Sequence, residues 1–234
     1  MAQQERSKKT REDILLAASR LINERTWDHS SITRIAQEAG YTTGAMYFHF
    51  AVKEDIALAI IEEQNKRSSS AAAETLNRNL PAVETILQIS AGFTRDILAD
   101  PLVQAGARLT SQPQMFTNPP LLPWASWAAV HAQNLSRGIQ EGDVKPEIDV
   151  HRYAAHFNGA SAGTFLLSGL SNGLADLTER ASDLSIILLS SYVVPEKQEY
   201  WAKRALAIYG VTESPLRYDN PSPHTHSTSY SAPD

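Results

Sequence analysis

Apolar residues recur three or four positions apart along most of the chain, which is the spacing of amphipathic α-helices. Proline, glycine and clusters of polar residues divide this pattern into segments. The predicted helices cover residues 10–22, 31–40, 42–50, 52–76, 81–99, 102–109, 124–139, 150–170, 174–194 and 196–209. The sequence therefore predicts an all-α protein, in which Thr10 is the N-cap of the first helix and Pro81 begins the fifth.

Residues 31–50 predict two short helices joined by a tight turn. Ser31 is a suitable N-cap for the first helix, and Gly40 stands where a helix ends in a left-handed residue. Thr42 can cap the second helix, whose first turn contains Gly44 and lets a phosphate approach the backbone. Two further side chains of this helix can hydrogen-bond to DNA: Tyr47 and His49. The arrangement is typical of a helix-turn-helix that reads a DNA groove.

The chain divides into three parts by this pattern. Residues 1–55 predict a three-helix DNA-binding domain, because the helix at 10–22 offers an apolar face that covers the helix pair. Residues 56–209 predict a larger helical domain. In residues 210–234, Ser, Pro, Asn, Thr and His replace most apolar residues, so we expect a disordered tail.

Two segments of the larger domain have a distinctive composition. Residues 111–123 contain four prolines and predict a loop. Small residues in 150–170 and a broad apolar stripe in 174–194 favour a helical dimer interface, although burial within one subunit explains them nearly as well.

Composition permits a DNA-binding protein and excludes several other classes. The 234 residues include no cysteine, which excludes disulfides and thiolate metal sites and fits a reducing cytosol. No signal peptide opens the chain and no apolar run spans a membrane, so we expect a cytoplasmic protein. The net charge of -5 argues against a nucleic-acid partner, but residues 61–234 carry 13 Lys and Arg against 18 Asp and Glu, so the acidic excess lies outside the DNA-binding domain.

An enzymatic interpretation rests on one motif, since residues 169–173 spell the G-x-S-x-G of a nucleophile elbow. The motif requires a strand before it, whereas the preceding residues have a helical pattern, and His224 and His226 lie in the tail. His151 and His156 are five residues apart, which does not place both on one helix face as a zinc pair requires. We therefore expect no enzymatic activity, no catalytic residue, no metal and no cofactor.

The first 60 residues resemble the DNA-binding domain of the TetR family of bacterial repressors. Within that family, the run from Gly44 to Phe50, followed by Lys53 and Glu54, is similar to the γ-butyrolactone receptor branch, whose members control antibiotic production. The likeness extends from about Gln4 to Val194 and includes these later residues: Asp100, Pro101, Gln104, Ala105, Gly106, Arg108, Leu109 and Trp127.

This resemblance implies a homodimer that places two recognition helices in successive major grooves of a pseudo-palindromic DNA operator. It also implies a small-molecule pocket in the larger domain, whose occupation spreads the recognition helices and releases DNA. Carried over position by position, the DNA contacts are Arg6, Ser31, Thr33, Thr42, Thr43, Gly44, Tyr47, His49 and Lys53. Because Thr43 stands where the branch usually has a lysine, the cation that suits guanine is missing and the operator sequence stays open.

Trp127 is the main candidate for the pocket, because its ring offers a flat apolar wall and its N–H can orient a ligand. The sequence alone favours a core tryptophan, whereas the resemblance favours the pocket. Three polar residues on otherwise apolar helices are candidates for hydrogen bonds to the ligand: Gln64, Gln88 and Ser161. Ala162 stands where the branch places a polar residue, and Arg108 either pairs a ligand carboxylate or holds the domains together.

The sequence thus favours a ligand-responsive repressor over a purely architectural DNA-binding protein, since the latter leaves the larger domain without a role. The inducer is a γ-butyrolactone, a butenolide or an alkyl-furan carboxylic acid, or the antibiotic itself. The alternative within the same family is a regulator of drug efflux that responds to foreign compounds.

Overall fold

The computed structural model of the protein describes residues 2–24, 27, 31–112, 116–118 and 122–212, and these are helical nearly throughout. They form ten α-helices: α1 (Ala2–Glu24), α2 (Ile32–Ala39), α3 (Thr43–His49), α4 (Lys53–Leu76), α5 (Ala82–Ala99), α6 (Pro101–Thr110), α7 (Leu122–Gln140), α8 (Val150–Asn172), α9 (Leu177–Tyr192) and α10 (Gln198–Tyr209). A short 3₁₀ turn precedes α10 (Pro195–Lys197). The all-α prediction is confirmed.

Local capping defines the two short helices, as the sequence predicts. The Ser31 hydroxyl accepts a hydrogen bond from the Arg34 amide at 3.2 Å, and Gly40 ends α2 with a φ of 74°. The Thr42 hydroxyl accepts from the Ala45 amide at 3.2 Å and begins α3. The helix-turn-helix is therefore fixed by residues close to one another in sequence.

The first helix begins earlier than predicted, since α1 starts at Ala2. Thr10 is not its N-cap but lies inside it, where its hydroxyl donates to the carbonyl of Arg6 at 3.0 Å. Lysine–carboxylate pairs four residues apart stabilise this exposed turn: Lys8–Glu12 and Lys9–Asp13. The prediction was wrong because such pairs carry no apolar signal.

One hydrophobic core joins the first three helices to α4 and α6. It includes Ile14 of α1, Ile35 of α2, Met46 of α3, Ile60 of α4 and Leu109 of α6. The predicted boundary between residues 55 and 56 falls in the first turn of the continuous helix α4. Helix α4, which directly follows the helix-turn-helix, thus extends into the larger domain.

The remaining helix limits lie within three residues of the predicted ones, and the largest shift is at α9, which begins at Leu177 rather than at Leu174. Pro123 lies in the first turn of α7 rather than in a loop, where the missing amide has no cost. Residues 113–115 and 119–121 of the predicted loop, and residues 213–234 of the predicted tail, lie outside the described residues. No described helix has the length and apolarity that crossing a membrane requires.

Helices α4 and α6 make a close approach at a glycine. A Cβ placed on Gly106 of α6 would lie 2.5 Å from the Cβ of Gln64 on α4 and 2.7 Å from its Cγ. Both atoms are near the backbone of α4, so a small rotation of the Gln64 side chain does not relieve the clash. Glycine at 106 is therefore a condition for the spacing of these helices.

We expect Gly106→Ala to lower the free energy of unfolding by about 1 to 3 kcal/mol, because the added methyl group forces α4 and α6 apart. Urea unfolding measures the loss. Gly92→Ala in α5 is the matched control, since the nearest atom to its new Cβ is the flexible end of Arg95 at 3.8 Å. The control should be neutral or stabilising. Equal stability of the two variants would contradict the packing explanation.

Candidate DNA interface and ligand cavity

Helix α3 presents an aromatic face to solvent. Tyr47 is 56% exposed and Phe48 is 81% exposed, while Met46 and Phe50 are buried in the core beneath them. Large aromatic side chains are costly to leave in water, so their exposure on one short helix marks a contact surface. Phe48 was not among the predicted contacts, although it adjoins Tyr47 and offers an apolar surface of the kind that meets a thymine methyl group.

All nine predicted DNA contacts are fully or partly exposed. Arg6, Ser31, Thr33, Thr42, Gly44 and Tyr47 are exposed, and Thr43 and His49 are partly exposed. A Cβ on Gly44 would meet only the Thr42 hydroxyl, at 3.9 Å, so the first turn of α3 is open to an approaching phosphate. Their exposure is compatible with the predicted DNA contacts.

Lys53, the ninth predicted DNA contact, differs because its charged group has partners inside the protein. Its ammonium group lies 4.1 Å from the centre of the Trp27 ring and also donates to the Trp27 carbonyl. The charge therefore fastens the start of α4 to Trp27. The structure gives Lys53 a role inside the domain, which the sequence could not show because its partner is 26 residues away.

The turn between α2 and α3 is tied to α1 by one hydrogen bond. The Tyr41 hydroxyl donates to the Asp13 carboxylate at 2.9 Å. That bond, with help from Lys9, lowers the pKa of Asp13 below its usual value. The tie sets the position of the turn relative to the long first helix.

A cavity of about 130 Å³ lies inside the larger domain, where residues of every helix from α4 to α10 line it. It is close in size to a cavity that holds a single aromatic ring. Six rings line it together with one imidazole: Phe93, Trp124, Trp127, Phe157, Phe165, Tyr209 and His131. No Lys, Arg, Asp or Glu belongs to the lining among the described residues. An apolar, uncharged molecule suits such a site.

Most hydroxyl groups of the lining are already hydrogen-bonded to the carbonyls of their own helices. Ser90 donates to Ile86, Thr94 to Ser90 and Ser111 to Ala107, at 2.9 to 3.0 Å. Ser185 donates to Ala181 and shares a second bond of 3.0 Å with the Tyr209 hydroxyl. These hydroxyl groups make the lining slightly polar, but their hydrogen-bonding capacity is largely used, so few donors remain for a ligand.

The structure brings together three of the four predicted ligand contacts. Gln64, Trp127 and Ser161 line the cavity, as does Ala162. Gln88 does not, although it shares α5 with five lining residues, because it occupies a different face of that helix. Arg108 is also absent from the lining.

Trp127 borders the cavity rather than lying within the hydrophobic core. It is partly exposed, and its ring centre lies 6.4 Å from that of Phe93 at an angle of 33°. Its indole N–H has no hydrogen-bond acceptor among the described residues. The ring and the donor are both available to a molecule in the cavity.

His131 is a lining residue that the sequence interpretation missed. It lies four residues after Trp127 and seven after Trp124, so the three share one face of α7, and that spacing could have identified it. It is 6% exposed, and its ring centre lies 4.4 Å from that of Phe157. Burial lowers the pKa of His131 from 6.5 to about 4, so the imidazole is neutral at physiological pH.

His131 should make the protein less stable in acid. The folded chain keeps the imidazole neutral while the unfolded chain protonates it, so stability is lost as pH falls from about 6.5 towards about 4. Between pH 7 and pH 5, the wild type should lose about 2 kcal/mol more unfolding free energy than His131→Leu, as measured by urea unfolding at each pH. His151→Leu, which removes an exposed histidine from the first turn of α8, should retain the full loss. Identical pH profiles for His131→Leu and the wild type would contradict this account.

Comparison with known proteins assigns both parts of the chain. Residues 14–60 match the model of the bacterial regulatory proteins of the tetR family, and residues 80–195 match the tetracyclin repressor-like C-terminal domain. The chain belongs to the TetR family. Members are regulators that bind DNA operators as dimers and respond to small molecules, which agrees with the non-enzymatic interpretation.

Relatives of this TetR-family chain include γ-butyrolactone receptors. The A-factor receptor protein of Streptomyces griseus is 29% identical over 195 residues, which are 83% of this chain and 68% of the relative. A crystal structure of a γ-butyrolactone receptor, described as ArpA-like, has a TM-score of 0.76 at 27% identity and covers 88% of this chain and 98% of that one. CprB of Streptomyces coelicolor in complex with its biological operator sequence has a TM-score of 0.74 at 26% identity, with the same shares covered. The resemblance to this branch is confirmed.

Proposed function

We propose that this TetR-family regulator represses transcription by binding a pseudo-palindromic operator as a homodimer, and that a small signalling molecule of the γ-butyrolactone, butenolide or furan type releases it. The regulated genes are those of antibiotic production. The observation that carries the proposal is the aromatic cavity. One of its lining residues, Gln64, belongs to α4, the helix that directly follows the helix-turn-helix.

Helix α4 offers a physical path from ligand to DNA. Its first residue, Lys53, is fastened to Trp27 at the DNA-binding end, and Gln64 meets both the cavity and Gly106 of α6. Because the two helices touch without spare room at Gly106, a ligand that shifts Gln64 also shifts α4. Ligand binding then favours a conformation in which the paired recognition helices no longer match successive grooves.

Exposed apolar residues support a dimer through α8 and α9. Leu166, Leu167 and Leu170 of α8 and Ile187 of α9 are 45 to 75% exposed. A Cβ placed on either of two small residues of α8, Gly159 and Gly163, would meet no atom within 4 Å, which leaves space for a second helix to approach. A four-helix contact between two copies would bury this face.

The operator is expected to be a pseudo-palindrome whose half-sites lie about one helical turn apart, or a multiple of that distance. Selection from random duplexes followed by footprinting identifies it, and affinity should fall steeply with added salt. Addition of a γ-butyrolactone to the bound duplex should release the protein. A single asymmetric footprint, with one chain bound per duplex in light scattering, would contradict the dimeric arrangement.

A further inference from the structure

His131 is a buried residue of the cavity wall. Within the described part of the chain, the hydrogen-bonding atoms of its imidazole ring are not used by the protein. His131 is 6% exposed, and no hydrogen bond joins either ring nitrogen to another described residue. Two cavities of this domain include His131 in their lining: the larger one, and a small apolar one on the other side of the His131–Phe157 pair. Buried polar groups normally have partners, so an unsatisfied imidazole at a cavity calls for one from outside the chain.

The surroundings of His131 determine which partner suits it. The small cavity beside it is lined by Ile86, Leu135, Tyr153, Leu188 and Tyr192, which are apolar or phenolic. No charged side chain from the described residues lines either cavity. A carboxylate placed here would lose its water without gaining a cation, whereas an ester carbonyl or a hydroxyl would lose far less.

We infer that His131 is the hydrogen-bonding residue of the inducer site, and that the inducer is an uncharged molecule with a lactone carbonyl or hydroxyl oxygen and an apolar body. This inference rests on the proposed function and narrows it, because it favours the lactone and butenolide classes over a furan carboxylic acid. A carbonyl accepts from the ring N–H, and a hydroxyl donates to the other ring nitrogen.

The same geometry explains how a ligand larger than one ring enters. The main cavity of about 130 Å³ does not hold a ring together with an alkyl chain. The His131–Phe157 pair is the wall between it and the small cavity, so rotation of these two rings joins the spaces. The oxygen function then sits beside His131, and the chain continues among apolar side chains.

Two matched probes test the inference: γ-decalactone, and the sodium salt of 4-hydroxydecanoic acid, its ring-opened form. Both have the same carbon skeleton and differ in charge at pH 7.5. Binding is measured by tryptophan fluorescence and by release of the protein from its selected operator. We expect the lactone to bind at least ten times more tightly than the carboxylate. Equal affinities, or no lactone binding up to its solubility, would overturn the inference.

Variants at His131 separate recognition from folding. We expect His131→Leu to weaken lactone binding about tenfold while leaving melting temperature and operator affinity unchanged or higher, because an apolar side chain fills the same buried volume. His131→Gln keeps a hydrogen-bonding group and should recover part of the affinity. His151→Leu, in the exposed first turn of α8, should bind like the wild type. Wild-type lactone affinity in His131→Leu would show that the imidazole is not the partner.

These experiments also distinguish the inference from the proposed function. A protein that binds its operator but prefers the carboxylate remains a ligand-responsive repressor with a different inducer class. A protein that binds the lactone without binding any duplex retains the inferred site and loses the proposed function.

Discussion

Replacing Trp127 by alanine is expected to produce a repressor that binds its operator normally and resists release. Trp127 lines the cavity and has its indole N–H unsatisfied among the described residues, while it makes no contribution to the core of α1, α2 and α3. Loss of a large apolar contact and an orienting donor costs about 2 to 3 kcal/mol of ligand affinity. The inducer concentration needed for release should therefore rise about 30- to 150-fold.

The alternative for Trp127 is a purely structural role, and a second variant shows what that would look like. Trp201 is 2% exposed in the core formed by α5, α7, α9 and α10, and it is not part of the cavity lining. Trp201→Ala should lose about 3 to 5 kcal/mol of stability and melt early. Melting temperature, operator affinity and inducer dose are measured on each preparation. The pocket assignment is wrong if Trp127→Ala, like Trp201→Ala, melts early and also loses operator binding and induction. It is also wrong if the inducer dose response of Trp127→Ala is unaltered.

Tyr47→Ala is expected to reduce operator affinity by about 1 to 3 kcal/mol, which corresponds to roughly 5- to 150-fold. The side chain is more than half exposed on α3, so its removal does not open the core, and a loss of affinity reports the predicted contact to DNA. Gel-shift titration at fixed salt measures the loss.

The matched control for Tyr47 is Tyr200→Ala. Tyr200 is exposed to a similar extent on α10, far along the chain from the reading helix. Both variants should retain the helical circular dichroism of the wild type, and only Tyr47→Ala should bind DNA weakly. Unchanged affinity in Tyr47→Ala would remove this residue from the DNA interface and leave Phe48 as the aromatic candidate.

The agreement between the predicted and observed helices has a local cause. Ser31 and Thr42 cap their helices through amides three residues ahead, and Gly40 ends α2 by its own backbone conformation. Such interactions depend on short stretches of sequence and can be predicted from them. The early start of α1 was missed because its exposed first turns are held by charge pairs rather than by apolar periodicity.

The candidate site was predicted only in part, because a cavity is formed by helices distant in sequence. Gln64 and Gln88 look alike in the sequence, as polar residues on apolar helices, and only the rotation of α4 and α5 about their axes places one at the cavity and the other outside its lining. The sequence predicts Lys53 as a DNA contact, whereas its ammonium group lies over the ring of Trp27, 26 residues earlier in the chain. Neither outcome is encoded in local pattern.

The sequence by itself determined the all-α class, the helix-turn-helix with its caps, and the aromatic residues Tyr47 and Trp127 as candidates for DNA and ligand contact. The tertiary structure alone decided which polar groups face the cavity, that His131 is buried there without a partner among the described residues, and that α4 and α6 touch at Gly106. The physical reason is that capping and helical periodicity act over three or four residues, whereas burial, desolvation and close approach depend on which helices pack together.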